Sequence, residues 1–306
     1  MAGAIRLPVV LKDEAFTISQ VIRFMMTREA FDATWQAAHA DGLSDAHLKQ
    51  LQEAWTGHDF LKPLRRALEM EHVMTSHEYR RMRNSETSVY DWLDGGSSAP
   101  PRPLITTGPV DYVLDAIEKT PQFCRNQVFS PIWKFAWSYQ DELRFVRTVE
   151  RGLQAWDAAI AQQSAAPLQS LGSAAYRYLF DTGGPVEPMT ICYLLSPRAG
   201  RFFPVMKKAF VTQTLRELAI AGLALRRYEL RYGKPAPSLE ALVPEFLPCA
   251  PRDFMNGKAL KYELRNGVMT LYSGALDPAG DAGDLKNLIW PNPASLEENE
   301  NTQQKH

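Results

Sequence analysis

Apolar positions in the first ninety residues recur with helical period, and each stretch has its own start signal. Ile18, Val21, Ile22 and Met25 form an i, i+3, i+4, i+7 stripe, which predicts a helix with that stripe turned into the core. Thr17 and Gln20 have the spacing of a capping box ahead of it. Ser44 is placed to cap a second helix carrying Leu48, Leu51 and Trp55, with Leu43 and Leu48 at the spacing of a hydrophobic staple. Asp59 is placed to cap a third, with Leu61, Leu64 and Leu68 inward. Pro63 is tolerated there, because first-turn N–H groups have no intrahelical partner. A short helix over residues 86–93 should stop at Gly95–Gly96.

A Gly, Ser and Pro-rich stretch, DGGSSAPPRPLITTG, then reads as a loop or linker. Pro109 suits the first position of a helix running to about residue 120, and Ser130–Pro131 repeats that start signal. The helix that follows carries Leu143, Val146, Val149, Leu153, Trp156 and Ile160 on one face, suited to packing against another long helix. Residues 164–200 are irregular, and MTICYLL at 189–195 fits a buried strand or a helix equally well. From about Phe203 to Tyr232 a helix is apolar around most of its circumference, so it should be central. Gly233 and Pro235 end it. Ser238 is then placed to cap a short helix over residues 239–243.

Alternation appears only near the C-terminus. Leu260, Tyr262 and Leu264 alternate with Lys261 and Glu263, and Asn266–Gly267 supplies a two-residue hairpin turn before Val268–Tyr272. A third strand is expected near residues 287–290. The fold class is therefore mostly α: a helical scaffold followed by a small α+β module, a long helix plus a two- or three-stranded antiparallel sheet. The expected divisions are a helical region 1–94, a linker or loop 95–108, a helical region 109–200 with an irregular end, the module 201–292, and a polar, disordered tail 293–306.

With 34 basic and 35 acidic residues among 306, the chain has no basic stripe to suggest nucleic-acid binding. Arg80, Arg81 and Arg83 are flanked by Glu78 and Glu86 and read as a solvated helix face. The longest apolar run, residues 218–225, is eight residues between charges, well short of the ~20 that span a bilayer. The first residues lack the apolar core of an export signal. Cys124, Cys192 and Cys249 are far apart and odd in number, so buried free thiols are expected rather than zinc or a disulfide framework.

Three constellations carry chemistry. Asp277, Asp281 and Asp284 sit close together after Tyr272–Ser273, with Gly280 and Gly283 between them. Their mutual repulsion calls for solvent or a cation, and calcium prefers such oxygen ligands, although the spacing is not that of an EF-hand. An acidic solvated turn and a calcium site both fit. Glu69 and His72 have the spacing of half a di-iron site, but the chain holds no second Glu-x-x-His, so with His77 and Glu78 they read as a surface or partly buried cluster. Leu179–Phe180–Asp181–Thr182–Gly183 looks like an aspartic-protease motif. That chemistry needs a second copy, and a turn is the simpler account.

Residues from about Thr214 to Trp290 resemble the globular part of the major pseudopilin of type II secretion. The likeness is one of order: YELRYGKPAPSLEALV, then PCAPRDFMNGKALKY, then GVMTLYSGALDPAGDAGD, then LIW. About 200 unrelated residues precede them, no hydrophobic stem is present, and Asp253 is followed by Phe254 where that family has Pro. The chain as a whole looks similar to helical bacterial envelope proteins of unknown activity. The resemblance implies the module's fold, an extracytoplasmic (for example periplasmic) site and calcium in the loop of Asp277, Asp281 and Asp284. It does not imply pilus assembly. The expected function is a non-catalytic envelope protein acting through a protein partner. The alternative is a hydrolase or metalloenzyme whose site is assembled from scattered helical residues.

Overall fold

The computed structural model describes residues 2–40, 42–86, 88–89, 124–169, 202–265, 268–275 and 288–290. The local start and stop signals operate largely as their chemistry requires. Ser44 Oγ accepts a hydrogen bond from the backbone N–H of His47 at 3.4 Å and opens α3, Asp45–Thr56. Asp59 Oδ1 accepts from Leu61 and Lys62 N–H, at 2.9 and 3.2 Å, and opens α4, Leu61–Asn84. Gly233 has a φ of +68° and donates to the Glu229 carbonyl at 2.8 Å, which closes the last long helix.

The other elements are α1, Ala2–Arg6; a 3-10 turn, Leu7–Leu11; α2, Thr17–Ala38; α5, Ser130–Ile132; α6, Ser138–Gln162; and α7, Phe202–Tyr232. Two π-helical turns, Arg125–Phe129 and Trp133–Trp137, flank α5. A 3-10 turn, Glu240–Leu242, follows α7, and strands β1, Lys261–Arg265, β2, Val268–Tyr272, and β3, Ile289–Trp290, complete the described chain. The protein is thus mostly helical with a small antiparallel sheet.

The chain forms two compact units. One comprises Met1–Ala67, Trp156–Leu168 and Val205–His306; the other comprises Leu68–Ala155 and Gln169–Pro204. In the first, α7 is the organising element. Phe210, Leu215, Leu218, Leu223 and Leu225 are all buried, as its near-continuous apolar surface predicts. Trp156 meets Phe210 edge-on, with ring centroids 5.2 Å apart. Polar ties fix its register. Arg227 pairs with Asp45 at 2.6 Å and donates to Gln52 Oε1 at 3.0 Å, while Gln52 Nε2 donates to the Phe246 carbonyl at 2.8 Å. Arg216 donates to the Trp55 and Thr56 carbonyls at the end of α3, where the Trp55 carbonyl also accepts from the His58 N–H at 3.2 Å.

The sheet has the order β1-β2-β3. Lys261 pairs with Tyr272 and Arg265 with Val268, the register expected of a hairpin centred on residues 266–267; those two residues lie outside the described ones. Leu271 pairs with Trp290 and Tyr272 with Ile289. The Trp290 side chain is buried, edge-on to Phe31 with ring centroids 5.5 Å apart. Its indole lies directly on Gly222 of α7. A Cβ built at that glycine would fall 2.4 Å from Cε2 and 2.6 Å from Cδ2 and Nε1.

Asp253, also buried, joins two separate pieces of the module. Its carboxylate accepts from Met255 N–H at 2.9 Å and from the Ser273 hydroxyl at 2.8 Å. Ser273 N–H in turn donates to the Leu288 carbonyl at 3.0 Å. The segment before β1 and the end of β2 therefore meet at one buried carboxylate, and the start of the closing strand bonds to the same Ser273.

The second unit is built on aromatic packing. Tyr79, Met82, Trp133, Phe145 and Val149 form its core, with Phe129, Trp137 and Phe202 packed around them. Trp133 Nε1 donates to the buried Asp141 carboxylate at 3.1 Å. The Val89 N–H donates to Ser130 Oγ at 3.0 Å, which ties the end of the preceding segment to α5.

Candidate interaction surfaces

Helix α2 reverses the orientation that its apolar stripe predicts. Ile18, Ile22 and Met25 point outward, exposed at 64, 45 and 58 %. The buried face carries Gln20, Arg23, Thr27 and Thr34 alongside Phe24, Phe31 and Trp35. The polar residues are inside because each finds partners there. Gln20 Nε2 donates to the carbonyls of Leu11 and Glu14, at 3.1 and 2.9 Å, holding the end of the preceding 3-10 turn. Thr27 and Thr34 hydroxyls bond back to the carbonyls of Arg23 and Ala30, and Trp55 Nε1 donates to Thr34 Oγ1 at 3.1 Å. The Thr17–Gln20 capping box does not form: Phe16 is the N-cap with no side-chain bond, and Gln20 is engaged elsewhere.

Arg23 and His58 form the polar centre beneath this helix. Arg23 Nη2 donates to the Asp59 carbonyl at 2.8 Å, Nη1 to Gln20 Oε1 at 3.3 Å, and the guanidinium stands 4.5 Å from the Phe60 ring centroid. Burial pushes its pKa down to about 10, against the opposing pull of Asp59 and Asp13. His58 stacks on the same Phe60, with planes 6° apart, and its Nε2 lies 2.7 Å from the Ile5 carbonyl. That contact requires a proton on Nε2. Burial, together with the nearby charges of Arg23, Arg216 and Lys12, lowers the imidazole pKa to about 4, although the Ile5 carbonyl opposes the shift. His58 is therefore a neutral core residue that holds α1.

The same inversion recurs in the second unit. Along the run from Arg125 through α6, Val128, Ile132, Phe135, Tyr139 and Leu143 are exposed, Phe135 at 88 % and Tyr139 at 68 %. Ser130, Ser138 and Asp141 are buried on the other side. Leu143, expected on the inward face of α6 with Val149 and Trp156, belongs to this outer stripe instead. A π turn changes the number of residues per turn, so the apolar period of α6 does not extend in phase into the turns before it.

The remaining candidates are placed as follows. Asp277, Asp281 and Asp284 lie outside the described residues, as do residues 179–183 and Cys192. Glu69, His72, His77 and Glu78 lie on α4. His72 packs edge-on against Phe145 and Glu78 pairs with Arg81 at 2.9 Å. Among the described residues no group of three or more His, Cys, Asp or Glu side chains is placed to hold a metal ion. Cys124 and Cys249 are free thiols; Cys249 is exposed where a buried thiol was expected. No helix among the described residues is long and apolar enough to cross a membrane. No protein-family model matches the chain, and neither a curated protein nor a solved structure shows significant similarity to it.

Proposed function

We propose that this chain is a non-catalytic bacterial envelope protein that acts by binding another protein. The observation that carries the reading is the inverted helix α2. A helix that buries an arginine, a glutamine and two threonines while leaving Ile18, Ile22 and Met25 in water forgoes burial available to it. That arrangement suits a surface whose apolar side is covered in a complex. The resemblance of residues 214–290 to the major pseudopilin supports an extracytoplasmic site. A photo-crosslinking residue at position 22, in cells of the native host, tests both parts. A discrete adduct in the envelope fraction, lost on Ile18→Glu, is the expected result. A chain recovered from the cytoplasm without an adduct refutes the proposal.

Within the same reading, calcium stabilises the loop of Asp277, Asp281 and Asp284. Support comes from the loop's composition and from the stem beneath it, where Ser273 N–H bonds to Leu288 and the Ser273 hydroxyl to Asp253. Calcium that binds only the folded chain raises its melting temperature by mass action, by about 2.7 kcal/mol at a hundredfold excess over Kd. Magnesium, which demands tighter octahedral geometry, should do less. Asp277→Ala should remove the calcium effect and leave the metal-free melt unchanged. Identical wild-type melts in calcium and in chelator would refute the site.

A further inference from the structure

Residues 2–14 lie against α2 and α3, and few groups hold them there. Ile5 and Pro8 are the buried side chains of this segment, whereas Leu7 and Val10 are exposed. Two side chains from elsewhere bond to its backbone. Gln20 Nε2 donates to the Leu11, Lys12 and Glu14 carbonyls, at 3.1, 3.4 and 2.9 Å, and anchors the end nearest α2. His58 holds the other end, its Nε2 2.7 Å from the Ile5 carbonyl. A segment that buries so little apolar surface belongs to the low-stability end of a fold and can open by itself.

The His58 bond depends on protonation. Nε2 donates to Ile5, so the neutral ring presents a bare Nδ1, and this atom is buried with no hydrogen-bond partner. A second proton must go to Nδ1, which creates a buried N–H with nothing to accept it. The surroundings make the added charge worse. Lys12 on the segment itself, Arg23 on α2 and Arg216 on α7 are the charged groups that act on the imidazole, and all are cations. The carboxylates close by are engaged otherwise. Asp59 caps α4 and, with Asp13, acts on Arg23, while Glu217 pairs with Arg216. Trp55 and Phe60 meet the imidazole with their rings, centroids 5.7 and 5.4 Å away. The Ile5 carbonyl favours the imidazolium, but one such bond does not offset burial and three cations. Once the segment is open, water hydrates the charge and the penalty is relieved.

We propose that residues 2–10 are a proton-released latch: protonation of His58 undoes its hold on Ile5, and the segment swings out about the Gln20 anchor while the rest of the first unit stays folded. The sign follows from linkage. The imidazole takes its proton at about pH 4 with the latch closed and near 6.5 with it open, so closure is complete above about pH 7 and weakens as the pH falls. From pH 7 to pH 5 the opening equilibrium should rise by about twentyfold. The latch rests on no part of the proposed function.

Hydrogen exchange of the full chain at pH 7 and pH 5, read by mass spectrometry and corrected for intrinsic rate, tests it. Peptides covering residues 2–10 should be protected at pH 7, yet exchange about tenfold or more faster than α7 peptides around Leu218 at either pH, because they open separately from global unfolding. At pH 5 their protection should fall by about twentyfold. His58→Gln does not titrate, so its residues 2–10 should lose the pH response whether or not the amide reaches Ile5. The wild-type comparison with α7 decides the matter even if that variant folds poorly. Residues 2–10 that exchange no faster than α7, that lack protection at pH 7, that ignore pH, or that respond equally in His58→Gln would each overturn the inference.

Discussion

Gly222→Ala sets two effects of opposite sign against each other, and the geometry decides between them. In an open helix interior the change gains about 1 kcal/mol, because alanine loses less backbone entropy than glycine. Here the new methyl carbon would lie 2.4–2.6 Å from three atoms of the Trp290 indole, where carbon atoms prefer about 3.5–4.0 Å. The obstruction is the rigid body of a buried ring, not the end of a flexible chain. Phe31 closes one side of that ring and the β2–β3 pairing holds its backbone. Overpacking of this kind costs about 1–3 kcal/mol, often more where a ring must be displaced. The clash should win, with a net loss of about 1–2 kcal/mol. The decisive measurement repeats the substitution in Trp290→Ala, itself destabilised by about 3–5 kcal/mol. There the methyl group enters vacated space and should stabilise by about 1 kcal/mol, giving a coupling of about 2–3 kcal/mol. Urea unfolding followed by far-ultraviolet circular dichroism avoids reliance on the deleted fluorophore. A Gly222→Ala that stabilises wild type, or the same sign in both backgrounds, would refute the placement of Trp290 on α7.

Three further outcomes follow from the buried groups. Leu218→Ala should cost about 2–5 kcal/mol, and a loss below about 0.5 kcal/mol in urea would mean that α7 is peripheral. Asp253→Ala should cost about 2–4 kcal/mol by leaving Ser273 and Met255 donors buried and unpaired, whereas Asp253→Asn, which still accepts from one of them, should recover part of it; equal losses would remove the carboxylate from this role. His58 titrates near 6.5 unfolded and near 4 folded, so between those values the unfolded chain binds the extra proton. Stability should therefore be full above about pH 7 and fall by about 2–3 kcal/mol as the pH drops towards 4. His58→Gln should flatten that slope in pH-dependent unfolding, and an unchanged slope would assign it to other groups.

Some of this architecture is written locally in the chain. Ser44, Asp59 and Gly233 act on backbone groups within four residues of themselves, so their roles depend little on distant packing. The hairpin register is equally local, because a two-residue turn leaves one pairing for the alternating residues on each side. The burial of α7 was legible because a helix apolar around most of its surface has no side suited to water. The direction in which α2 faces was not legible. Period tells which residues share a face, but which face turns inward depends on partners far away in sequence. The carbonyl of Asp59 and the ring of Phe60 are what make Arg23 admissible in the core, and Ile18, Ile22 and Met25 are outside as a result. The stripe of Phe135 and Tyr139 was hidden for a related reason, since π-helical turns break the period from which facing is read. Gly222 gave no sign of its role, because the need for a bare Cα there arises only when Trp290, the last residue of the closing strand, is laid across it. Nearest-neighbour chemistry set the starts of α3 and α4 and the end of α7, and tertiary contacts decided which surfaces were left exposed.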